Sequence, residues 1–71
     1  MPHSQADLER AGYLVIEGEK RVSKQRLVIE QLAHDGHPTA EAQELLQNML
    51  DLLDEMHAQL EEIASDVREE H

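Results

Sequence analysis

His34-Asp-Gly-His-Pro-Thr39 divides the chain into two long halves. Gly36 supplies a residue free to turn left-handed at the end of a helix, and Pro38 cannot continue one. Thr39 is a capping residue for whatever follows, with Glu41 and Glu44 placed in the positive first turn of a second helix. A connection of about four residues leaves the next helix no course but back along the first. The stretch therefore reads as the bend of an antiparallel hairpin, with helix 1 over about 5–34, a turn at 35–38 and helix 2 over about 39–69. Residues 1–71 form a single domain on this reading.

Working outward, both halves carry apolar ridges at helical spacing. Before the turn, Leu8, Val15, Val22 and Ile29 recur every seven residues, interleaved with Ala11, Gly18, Gln25 and Leu32. After it, Leu46, Leu53, Leu60 and Val67 do the same, interleaved with Ala42, Met49, Met56 and Ile63. Such ridges make a coiled-coil-like seam. In an antiparallel pair, facing residues keep a constant sum of positions. Ile29/Leu46, Val22/Leu53, Val15/Leu60 and Leu8/Val67 obey this, and so do Gln25/Met49, Gly18/Met56 and Ala11/Ile63. Small Gly18 and Ala11 then oppose large Met56 and Ile63, as interdigitating layers require. Helix 1 starts behind Ser4, with Asp7 three positions on in capping-box spacing. Gly12-Tyr-Leu-Val-Ile-Glu-Gly18 resembles a short strand between glycines. The heptad phase nevertheless runs through it from Leu8 to Val22, so it is read as helix, with a kink at one of the glycines as the open point.

Composition agrees with an all-α chain. Tyr13 is the only aromatic residue, and the apolar stock is Leu, Ile, Val, Met and Ala. There is no cysteine, which excludes disulfides and thiolate metal sites. No apolar run reaches the roughly 20 residues of a membrane span, nor does Tyr13-Leu-Val-Ile16 make a signal sequence. A cytoplasmic location is the expectation. The net charge of −10 is uneven. Residues 1–34 balance five acids with five bases, whereas 35–71 hold eleven acids and only Arg68. Such acidity argues against nucleic acid and anionic membranes as partners.

More apolar residues are present than one seam uses. Leu14 and Val28 flank the helix 1 ridge, Leu45, Leu50 and Leu52 flank that of helix 2, and Tyr13, Ile16 and Leu27 lie toward the outside of helix 1. A chain below about 80 residues rarely buries enough surface to stand alone. Pairing two hairpins into a four-helix bundle would cover the flanking leucines. We therefore expect a homodimer, and these eight residues are the interaction candidates.

Chemical sites are sparse. His34, Asp35 and His37 cluster in the turn, but a polar turn with His34 at a helix C-terminus accounts for them without a metal. Asp54-Glu-Met-His57 comes nearest to the Glu-x-x-His pattern of di-iron bundles, in a single copy that a dimer would duplicate. His57 beside the seam is also a candidate pH sensor at a dimer boundary. His3 and His71 are expected to fray. Lys20, Arg21 and Lys24 share a side with Glu17, and the basic run Lys20, Arg21, Lys24 and Arg26 is expected to pair within its helix and to be drawn toward Asp51, Asp54 and Glu55 on the acidic helix. Gln25 is a polar residue at a seam position, where it sets register. No nucleophile–base pair, phosphate loop or paired catalytic carboxylates stand out, so neither an enzyme nor a cofactor or small-molecule substrate is expected.

Two resemblances add to this. Arg21-x4-Arg26-x2-Ile29-x2-Leu32 followed by Asp35-Gly-His-x-Thr-Ala-Glu-Ala-x-x-Leu45-Leu46 resembles a group of short alpha-proteobacterial helical proteins, over about residues 18–60. That likeness implies the hairpin and no activity. The chain also resembles Spo0E-like phosphatases of aspartyl-phosphorylated response regulators, small helical hairpins whose second helix carries Ser-Gln-Glu-Leu-Asp. Here that register reads Gln47-Asn-Met-Leu-Asp51, keeping Leu50 and Asp51. The likeness implies, as an alternative, a regulator of a two-component signalling protein acting through Asp51. The primary expectation is a small acidic interaction or structural module working as a homodimer; the remaining alternative is a metal site at the dimer core.

Overall fold

The computed structural model describes residues 3–69. They form two helices of equal length, α1 (Gln5–His34) and α2 (Ala40–Glu69), packed side by side as an all-α antiparallel hairpin. Its dimensions of 55 × 14 × 13 Å are those of a rod two helices wide. Thirty residues at ~1.5 Å rise span about 45 Å, and the turn and helix ends supply the rest.

Local signals set the helix ends. Ser4 takes extended dihedrals, and its Oγ accepts from the Asp7 amide at 3.2 Å. Asp7 Oδ2 accepts in return from the Ser4 amide at 3.1 Å, closing the capping box. That backbone donor lowers the Asp7 pKa below its usual value, although partial desolvation pulls the other way. At the other end Gly36 has φ +76°, its amide donates to the Ala33 carbonyl at 3.1 Å, and the His37 amide donates to the Leu32 carbonyl at 2.8 Å. This paired arrangement satisfies carbonyls that the end of α1 would leave open, and it needs a residue without Cβ at position 36.

Thr39 departs from the expected cap. Its carbonyl accepts the first bond of α2, from the Gln43 amide at 2.9 Å, but its hydroxyl takes the Gln43 side-chain amide at 2.9 Å instead of a backbone donor. A long amide one turn on competes for the same oxygen, and helix 2 proper begins at Ala40.

Residues 12–18 are continuous helix, and among the described residues there is no strand. The two glycines differ sharply. A Cβ on Gly12 would meet nothing within 4 Å, whereas one on Gly18 would lie 3.0 Å from Leu53 Cδ1 and 3.3 Å from Met56 Sδ. Gly18 is therefore the point of close helix approach; its nearest neighbour is Leu53, which the sequence pairs with Val22, and Met56 comes next. The core is thin. Val15, Val22, Leu53, Ile63 and Val67 are buried together with Gln25, while Leu46, Met49, Leu50, Met56 and Leu60 pack part-buried against the Val15–Val22–Leu53 cluster.

Candidate functional site

Rotation of each helix about its own axis decides which flanking apolar residues the hairpin uses. Leu14 lines a groove with Ala11, Met56, Gln59 and Ile63, so residue 14 and residue 59 share one flank. Val28 stands fourteen residues after Leu14, while Leu52 and Leu45 stand seven and fourteen before Gln59. At coiled-coil spacing all four lie in one line along that flank, two from each helix. Arg21 falls midway along it. Leu14, Val28, Leu45 and Leu52 remain 44–50% exposed.

The opposite flank exposes no large apolar side chain. There Leu50 shares a groove with Arg26, Ile29, Glu30, Gln43, Leu46 and Gln47. Leu50 is half-buried and packs onto the hairpin's own cluster, unlike the other seven candidates. His57, seven residues after Leu50, belongs to this same flank. Tyr13, Ile16 and Leu27 are the most exposed of the set, at 53–63%. Ile16 and Leu27 border a shallow outer groove of α1 with Lys20, Arg21 and Lys24. The apolar run at 13–16 thus buries only Val15 within the hairpin. Leu50 therefore does not belong with Leu45 and Leu52. The signal that separates them is the spacing, since Leu45 and Leu52 are one heptad apart and Leu50 is out of step with both.

Gln25, only 9% exposed, turns its Nε2 to the Ala42 carbonyl at 2.8 Å. Among the described residues this is the one side-chain hydrogen bond that joins the two helices. It pins the last third of α1 to the first turn of α2, seven residues before Met49, which the sequence pairs with Gln25, and so fixes the two helices against each other.

The charged residues do not form the expected cross-hairpin network. Lys20 lies 3.4 Å from Glu17 within α1. Among the described residues no ion pair links Lys20, Arg21, Lys24 or Arg26 to Asp51, Asp54 or Glu55. All three acids are exposed, facing away from the seam. Asp51 Oδ1 accepts instead from the Gln47 amide one turn earlier, at 3.0 Å. The interhelix charge contact lies at the open end. His3, expected to fray, sits 3.7 Å from Asp7 and 3.8 Å from Asp66, an ion pair whenever it carries its proton. His71 lies outside the described residues. His34, Asp35 and His37 are exposed, and Asp35 accepts from the Gln31 amide at 3.1 Å. Among the described residues no three His, Asp or Glu side chains converge as metal ligands, and no helix is long and apolar enough to cross a membrane.

Compared with known proteins, the chain matches no family model, no curated sequence and no solved structure.

Proposed function

We propose that this hairpin is a protein–protein interaction module that works as a homodimer, closing a four-helix bundle over the Leu14–Val28–Leu45–Leu52 flank. The single observation that carries this reading is the gathering of those four half-exposed side chains on one flank, while the other flank exposes no large apolar side chain. The incomplete core supports it too, since none of the described side chains is fully covered by the hairpin alone.

The energies are of the right order. Fully burying such a side chain is worth ~1.5–3 kcal/mol, so covering the exposed half of four in each of two protomers contributes about 6–12 kcal/mol. Association costs an estimated 4–15 kcal/mol, so a dimer of modest affinity is what this area supports. Tyr13, Ile16 and Leu27, on the outside of α1, stay open in that dimer. They and the acidic outer side of α2 form the surface presented to a further protein partner.

Sedimentation equilibrium tests the reading. The chain should run at twice its 8.1 kDa protomer mass at micromolar concentration. The double variant Leu45→Gln/Leu52→Gln should revert to the protomer mass, and Leu27→Gln should not. A protomer mass at every concentration, or a double variant that still dimerises, would overturn it.

One observation favours a second reading. Asp51 is exposed, pairs with no base among the described residues, and is the acid that the sequence resemblance to response-regulator phosphatases singles out. That reading predicts loss of aspartyl-phosphate from a phosphorylated receiver domain, abolished by Asp51→Asn. No hydrolysis above the spontaneous rate removes it. A metal site at the dimer core draws no comparable support. His57 lies on the flank opposite the leucine line, so closing the latter leaves the Asp54–His57 pair outside.

A further inference from the structure

We propose that the second copy docks with its turn at the same end, so that α1 of each protomer packs against α2 of its partner. The inference rests on the homodimer reading and adds the arrangement that the charges select.

Two copies can meet across the apolar flank in two ways. If the two-fold axis runs along the rod, the turns lie together and each α1 faces the partner's α2. If it runs across the rod, the turns lie at opposite ends, and α1 faces α1 while α2 faces α2. Both arrangements cover the same apolar line, so burial does not choose between them.

Charge does. α1 carries five acids and five bases and sums to zero; α2 carries nine acids against Arg68, a net −8. Opposite-end docking sets two −8 helices side by side, at the 8–10 Å of packed helices. Same-end docking places them on the diagonal, about 14 Å apart at that packing distance. With a screening length of ≈ 8 Å at physiological salt, the extra separation lowers their repulsion to less than half. Individual residues point the same way. Arg10 shares its groove with Gln59 and Ile63, level with Glu62, and Arg21 lies within a turn of Glu55 by the same register. Same-end docking brings Arg10 opposite the partner's Glu62 and Arg21 near the partner's Glu55. Opposite-end docking centred on the apolar line sets Arg21 against its own copy. Two layers oppose the choice. Glu17, seven residues after Arg10, comes level with the partner's Glu55, seven before Glu62. At the open end Asp7 and Asp66 meet the partner's Asp66 and the partner's Asp7, with His3 at 3.7 and 3.8 Å from the two acids of its own protomer. These are two local layers, against a whole helix length of α2 repulsion.

The chain has no cysteine, so a single introduced thiol can be labelled cleanly. His37→Cys is exposed in the turn and keeps the backbone amide that the turn uses; Gln5→Cys marks the exposed open end. Nitroxide labels at either position are read by double electron–electron resonance on the full chain at a concentration where sedimentation gives the dimer mass. Same-end docking predicts label pairs within about 30 Å at both sites, two helix widths plus the label arms. Long distances at both sites, on the order of the ~45 Å helix length or more, overturn the orientation and leave the homodimer standing. No dipolar signal above background at either site, with a protomer mass in sedimentation, overturns the homodimer and this inference with it.

Discussion

Replacing each helical glycine by alanine tests the close approach directly. In a helix interior the exchange gains roughly 0.5–1 kcal/mol, because alanine loses less backbone freedom on folding. At Gly12 the new methyl meets nothing within 4 Å, so Gly12→Ala should keep the whole gain. At Gly18 it would arrive 3.0 Å from Leu53 Cδ1 and 3.3 Å from Met56 Sδ. Carbon pairs prefer about 3.5–4.0 Å, so both neighbours must move. Met56 is flexible and yields readily. Leu53 is buried against Val15 and Val22 and has little room. Overpacking of this kind costs typically ~1–3 kcal/mol. The net for Gly18→Ala is therefore a loss of up to about 2 kcal/mol, and the two variants should differ by about 1–3 kcal/mol. Urea denaturation followed by far-UV circular dichroism, at one fixed protomer concentration, measures the difference. Equal stabilisation by both substitutions would refute the placement of Gly18 against Leu53 and, with it, the register of the hairpin.

Four further outcomes follow from the geometry and the charge. Gln25→Ala should destabilise the chain by about 1–3 kcal/mol through the lost bond to the Ala42 carbonyl and the gap left behind. Gln25→Leu should hold or raise the urea midpoint while broadening the amide NMR spectrum, as the register loosens; sharp, singly populated resonances would count against a register role. Because the Asp7 pKa is lowered by the Ser4 amide, the stability it adds is present above its ordinary 3.8 and is lost as pH falls through the lower folded value. Asp7→Asn should therefore be less stable than the parent at neutral pH and equal to it near pH 2, whereas a gap independent of pH denies the capping-box role. Finally, two protomers of net charge −10 repel, so added sodium chloride should tighten self-association, and weakening by salt would point to ion pairs as the principal attraction.

Much of this architecture was legible in the chain itself. Gly36 and Pro38 end one helix and delay the next, Ser4 with Asp7 starts the first, and two heptad ridges require antiparallel neighbours in one register. These are local or periodic properties, set by backbone sterics and by the spacing of side chains on a helix. Tertiary structure decided what periodicity leaves open, namely how far each helix is rotated about its axis and what each side chain then meets. Leu50 turned toward the core while Leu45 and Leu52 did not, and Gly18 was pressed against Leu53 while Gly12 faced open space. Asp51, Asp54 and Glu55 point outward, although the bases of α1 stand at a similar height. Height along a hairpin follows from residue number; sidedness follows only from the packed pair, because a rotation of a few tens of degrees moves a residue from seam to solvent without changing any spacing.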